Sequence, residues 1–203
     1  MNNLEKLEKA KYIYKGIELD VVFKSDSMVF DIYHPPEQSK GLYLRGYLAE
    51  STENPKLLYW LDLKNLTPEN AIIASEYLKE LTDKNIINPK NVIVESPNIK
   101  YLNHFKNKGF NTSFYFPSDL SLLEGEKLKV KIRELQSLLS KYPTTMISSN
   151  AIDYSVLSFY FPEKDKNLWI FAELKNIKSL RQRLSLYRRL FDNSVKIILF
   201  KTE

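Results

Sequence analysis

Glu18 and Asp20 stand two residues apart in GIELDVVF (16–23), whose Glu18–Phe23 part alternates as a β-strand does. In an extended chain residues i and i+2 point to the same face, so both carboxylates project together. Two carboxylates held that close repel unless a proton or a cation sits between them. Oxygen ligands of this kind suit a hard divalent cation, Ca²⁺ or Mg²⁺. Asp62, near the end of the apolar run LLYWLDL (57–63), can supply a third oxygen, and Lys64 faces the same side. His34 lies in the turn His34-Pro35-Pro36 that follows MVFDIY (28–33), a titratable group near the same mouth. The plainer alternative is that Glu18 and Asp20 form salt bridges at a strand end.

The elements that must position these groups alternate along the whole chain. A helical pattern over MNNLEKLEKAKYIY precedes the Glu18–Phe23 strand, and Met28–Tyr33 is a second short run. Leu57–Leu63 is almost wholly apolar, as a strand covered on both faces should be. After it, Thr67 reads as an N-cap with Pro68 at the first helical position and Glu69 favouring the helix dipole. The predicted helix carries Ala71, Ile72, Ala74, Leu78 and Leu81 on its buried stripe. Further strands are expected at Asn91–Glu95, Phe110–Phe116, Thr144–Ser148, Leu168–Glu173 and Val195–Phe200. Helices are expected between them at Ile99–Lys108 (closed by Gly109), Asp119–Lys141, Ala151–Tyr160 and Ile177–Phe191.

Strands alternating with helices imply parallel β–α–β units with right-handed crossovers. Polar residues gather at several strand ends: Glu18/Asp20, Asp62/Lys64, Glu95/Ser96, Ser148/Asn150 and Glu173/Lys175. A doubly wound open sheet would concentrate them at one switch point, whereas a barrel brings them to one mouth. Their spread predicts an α/β fold of the TIM-type (β/α) barrel kind, a single domain over residues 1–203, with its first strand missing or undetected.

The length of 203 residues fits one domain with its own core. Hydrophobic residues at 43% and charged residues at 27% exclude a disordered chain. The net charge of +5 is spread along the chain, so it favours anionic partners weakly and predicts no specific nucleic-acid binding. The absence of cysteine excludes disulfides and thiolate zinc sites. No apolar run approaches the roughly 18 residues of a membrane span. The N-terminal helix lacks a signal peptide's apolar segment, so the expected compartment is cytoplasmic, or secreted or periplasmic if a leader precedes Met1. Five glycines leave no phosphate-binding glycine loop.

The three motifs Glu18-x-Asp20, His34 and Asp62-x-Lys64, in that order and spacing, resemble the phospholipase C-like phosphodiesterase superfamily. The likeness is greatest to the glycerophosphodiester phosphodiesterases. Their pattern is Glu-x-Asp on the second strand, a catalytic His shortly after it, and an acidic-x-Lys on the third, where this chain has Asp in place of the commoner Glu. The resemblance implies a metal-assisted phosphodiester hydrolase or lyase acting on a small or lipid-derived phosphodiester. Glu18, Asp20 and Asp62 would hold the divalent cation. His34 would be the general acid or base, with an imidazole's ordinary pKa of about 6.5 suited to that work. Lys64 would neutralise charge on the phosphate in the transition state. The family's first strand carries another His, usually followed by Arg, and this sequence shows no such motif. The other histidine, His104, reads as a packing or surface residue on a helix.

Two further readings follow from the residues. A catalytically reduced barrel would bind a phosphorylated or lipid-derived ligand without turning it over. Glu173-Leu174-Lys175, with Asp153 upstream, resembles the Glu-x-Lys of metal-dependent nucleases, and the basic residues of the next helix (Lys178, Arg181, Arg183, Arg188, Arg189) would then touch phosphates. Among the aromatic residues, Tyr43, Tyr47, Tyr115 and Phe116 are candidates for a substrate mouth, although most aromatics should be packing.

Overall fold

A computed structural model describes residues 4–50, 56–170 and 187–200. The chain divides into two compact units after Ser113. The first unit opens on helix α1 (Leu4–Ile13), followed by strands β1 (Gly16–Lys24) and β2 (Val29–Ile32). Helix α2 (Leu44–Glu50), strand β3 (Leu58–Leu63), helix α3 (Ala71–Lys84), strand β4 (Val92–Ser96) and helix α4 (Leu102–Asn107) follow, and β5 (Asn111–Tyr115) straddles the division.

β1 pairs in parallel with β3 from Gly16↔Leu58 to Val21↔Leu63, and β3 with β4 from Tyr59↔Val92 to Asp62↔Glu95. β2 departs from the all-parallel expectation and pairs antiparallel with β1, from Val21↔Ile32 to Lys24↔Val29. The reason is the connection. Residues 25–28 are far too few for a parallel crossover, which needs about a dozen. Met28 makes the turn at φ +52°.

Alternation along β1 separates two faces. Ile17, Leu19, Val21 and Phe23 are buried on one, while Glu18 and Asp20 lie half-buried on the other. In α3 the buried stripe is Ala71, Ala74, Ser75, Leu78, Leu81 and Thr82. Ile72, expected on that stripe, is 53% exposed, because one residue past Ala71 turns the side chain about 100° away. The regular helix also begins later than Thr67. Residues 67–70 form a turn closed by Ala71 N donating to Thr67 O at 3.1 Å.

The second unit contains α5 (Gly125–Lys141), β6 (Met146–Asn150), α6 (Tyr154–Tyr160), β7 (Asp165–Ile170) and β8 (Val195–Phe200). β6 and β8 flank β7, each in parallel. Of the helix expected at Ile177–Phe191, residues 187–190 are described and helical; Ile177 to Leu184 lie outside the described residues. No helix among the described residues is long and apolar enough to cross a membrane.

The register that carries Glu18 and Asp20 depends on a close approach at the start of β1. A Cβ on Gly16 would come within 2.8 Å of both Leu58 Cβ and the Leu58 carbonyl oxygen. The carbonyl is backbone and cannot rotate away. Gly16→Ala should therefore destabilise the protein by about 1–3 kcal/mol, the usual cost of overpacking, read as a lower midpoint in thermal or urea unfolding. An unchanged midpoint would show that β1 and β3 can separate without cost.

Candidate active site

The carboxylates reach one place because two adjacent parallel strands carry them in register. Asp20 on β1 is paired with Asp62 on β3, and paired positions point to the same face, about 4.8 Å apart. Glu18, two residues before Asp20, joins them from the same face. One ligand oxygen from each of Glu18, Asp20 and Asp62 lies within 4.8 Å of the others.

Lys64 follows β3 directly. Its backbone N donates to Val21 O at 2.9 Å, which holds the residue against β1. Its ammonium lies 2.8 Å from Asp20 Oδ1 and also bonds Asp62 Oδ2, bridging the strands. Burial opposes the lysine's charge, but Asp62 and Asp20 outweigh it and hold its pKa above the ordinary value.

The acids respond in the other direction. Burial is the main cause that raises the pKa of Glu18, and the charges of Asp20 and Asp62 add to it. Trp60, the register partner of Glu18, is itself buried and forms an apolar wall beside it. Burial also raises the pKa of Asp62, against the pull of Lys64. Three carboxyl groups thus face one ammonium in a partly dry setting that disfavours ionising all of them together.

His34 is exposed in the segment after β2, on the side of the sheet from which it acts weakly on the Asp62 carboxylate. The five residues of the phosphodiesterase-like motifs therefore fall in the first unit, and Glu18, Asp20, Asp62 and Lys64 make one charged cluster. His104 is half-buried on α4.

Sequence reasoning noted Glu95 as a strand-end acid but did not join it to the cluster. It is buried on β4 in register with Asp62, so Asp20, Asp62 and Glu95 form a row across three strands. The signal was the matching position of an acid in NVIVE, but its level was unreadable until the register was known.

Two mouth candidates are corrected. Tyr47 and Phe116 are fully buried, packing in the core, because each sits on an inward-facing position of its segment. Tyr115 stacks on Trp169 with ring centroids 5.0 Å apart, and Tyr43 is 44% exposed. Asp153 is buried and accepts from Ser121 N at 2.8 Å, Ser149 Oγ at 3.0 Å and Asp119 N at 3.1 Å, so it ties down a loop. Its proposed companions Glu173 and Lys175, with Lys178, Arg181 and Arg183, lie outside the described residues.

No protein-family description matches the sequence, and no curated protein matches it. Solved structures do. A glycerophosphodiester phosphodiesterase from Parabacteroides distasonis superposes with a TM-score of 0.65 at 18% identity, covering 98% of this chain and 85% of that one. An enzyme described as a glycerophosphoryl diester phosphodiesterase from Agrobacterium tumefaciens gives a TM-score of 0.67 at 9% identity, covering 97% and 85%. A phosphodiesterase from Oleispira antarctica, solved with its product sn-glycerol-3-phosphate, gives 0.65 at 12% identity over 98% and 86%. At these identities the likeness establishes the fold. The chain has the TIM-type (β/α) fold of glycerophosphodiester phosphodiesterases, as its strand–helix order and motifs led one to expect.

Proposed function

We propose that this chain is a metal-assisted phosphodiesterase acting on small glycerophosphodiester-like substrates, because Glu18, Asp20 and Asp62 converge beside Lys64 within that fold. The donor set fits the group it would need. Three carboxyl groups face one ammonium, so a cation between them would relieve their mutual repulsion, and oxygen-only ligands suit Ca²⁺ or Mg²⁺. Glu18, Asp20 and Asp62 would hold the ion, which when bound supplies Lewis-acid polarisation of phosphoryl oxygens.

The remaining work belongs to the chain's own side chains. Lys64, kept charged by its two aspartates, stands ready to offset negative charge growing on the phosphate. His34, exposed beside Asp62, moves the proton, to the departing alcohol oxygen or from the attacking group. The half-buried setting excludes part of the water and strengthens each of these interactions. The sn-glycerol-3-phosphate held by the Oleispira enzyme points to a glycerophosphodiester as the substrate to try first.

The direct test is release of alcohol from glycerophosphodiesters by the purified chain with Ca²⁺ or Mg²⁺, repeated in excess chelator. The expected result is turnover that stops with the chelator and returns when the ion is restored. Linear glycerol phosphate among the products would identify a hydrolase, and a cyclic phosphate a lyase. Ion-dependent binding with no turnover would make the chain a ligand-binding barrel instead. Turnover indifferent to the chelator would overturn the assignment of the carboxylates.

A further inference from the structure

A second charged arrangement stands on the same face of β1, further along the strand. Alternation puts Glu18, Asp20, Val22 and Lys24 on one side. Asp31 on β2, the register partner of Val22, shares that side. Its side chain is wholly buried, and its Oδ2 accepts from Lys24 Nζ at 2.6 Å. Its Oδ1 is buried with no hydrogen-bond partner among the described residues. The Lys24 side chain, by contrast, is 38% exposed. The Tyr33 ring centroid lies 5.8 Å from Nζ, and Tyr43 bridges to Asp31 through the backbone.

This pair is an odd choice for stability alone. Burying a carboxylate with one oxygen unpaired is costly, and an apolar pair would close the hairpin without that cost. What the arrangement does achieve is orientation. An ammonium has three donors, and the Asp31 contact fixes one of them while the head stays open to solvent. The hydrogen bond to Asp31, together with that carboxylate's charge, outweighs desolvation and keeps Lys24 protonated.

We infer that Lys24, aimed by Asp31, is a specificity-determining residue that binds oxygen atoms on the alcohol portion of the substrate. This rests on the phosphodiesterase reading and refines its substrate class. Lys64 is engaged between Asp20 and Asp62, whereas Lys24 stands further along the face, where the part of the diester away from the phosphate would extend. A donor-only cation favours hydroxyl or anionic oxygen and repels a trimethylammonium. The selected class is therefore an oxygen-rich alcohol such as glycerol, over choline.

Titration calorimetry of the full chain in Ca²⁺-containing buffer, with glycerophosphoglycerol and glycerophosphocholine, tests this when every protein compared also carries His34→Ala, so that the diesters are not consumed during the titration. The protein that is wild type at Lys24 and Asp31 should bind the glycerol diester more tightly. Lys24→Met should weaken that binding about tenfold, the size of one lost charge-assisted hydrogen bond, and leave the choline diester within about twofold. Asp31→Asn should erode the same preference, and Lys24→Arg should keep much of it. Thermal melts of each variant guard against misfolding, and Lys24→Arg supplies a second variant should Lys24→Met fail to fold. Equal weakening for both diesters, or none, overturns the inference while leaving the phosphodiesterase reading intact. Failure of the protein that is wild type at Lys24 and Asp31 to bind either diester overturns both.

Discussion

Glu18→Gln should abolish ion-dependent cleavage and at the same time stabilise the metal-free protein. The loss follows from removing one of three carboxylates that meet within 4.8 Å. Several kcal/mol of charge stabilisation depend on such a site, and each 1.4 kcal/mol is a factor of ten, so a fall of about a thousandfold is expected. The gain follows from burial, which raises the pKa of Glu18 in the folded protein, with Asp20 and Asp62 adding to it. A carboxyl whose folded pKa lies above its unfolded one binds its proton more tightly when folded. Its contribution is favourable at acid pH and is lost as pH rises from the ordinary value of 4.5 through the raised one. Glutamine cannot ionise and escapes that loss. In chelator, the melting curves of variant and wild type should converge below about pH 4 and separate above it, the variant higher. Added Ca²⁺ or Mg²⁺ should then raise the wild-type midpoint and leave the variant nearly unmoved. A variant less stable than wild type at neutral pH in chelator would show that Glu18 is held for structure.

Much of this site was legible because strand alternation is local. The spacing of Glu18 and Asp20 already placed both acids on one face, and Asp62 and Lys64 likewise, which is how they stand. What the sequence could not show was register. Whether Glu95 stands level with Asp62, and Asp31 with Val22, depends on pairing between strands, set in part by Gly16 against the Leu58 carbonyl. Aromatic residues were read least well. Tyr47 and Phe116 look alike to Tyr43 in type, and only packing decides that the first two fill the core while the third meets solvent. Helix α2 went unread because its seven residues include Gly46, a poor helix former, and too few turns for a periodic stripe. The hairpin of β1 and β2 was half read. Two runs were visible, but their antiparallel pairing follows from the short connection, not from either run.

His34→Ala should cut kcat/KM by about two to four orders of magnitude, the range for losing a general acid or base, with almost no change in stability. The second half of that statement is what separates a chemical role from a structural one. His34 is exposed, so its imidazole buries little surface, and the backbone contact it makes, accepting from Glu37 N at 2.9 Å, does not involve the side chain. Removing the ring should move the unfolding free energy by no more than about 0.5 kcal/mol. Lys64→Met provides the contrast. It too should lower activity, but it strips Asp20 and Asp62 of their shared counter-charge, and the unfolding midpoint should fall with it. Because His34 is open to solvent, added imidazole should reach the vacated position and restore part of the rate in the His34→Ala protein, while doing nothing for Lys64→Met. Full activity in His34→Ala would remove the proton-moving role from this residue. A rate loss that imidazole leaves untouched, joined to a fallen midpoint, would mean that His34 matters only through the turn it occupies.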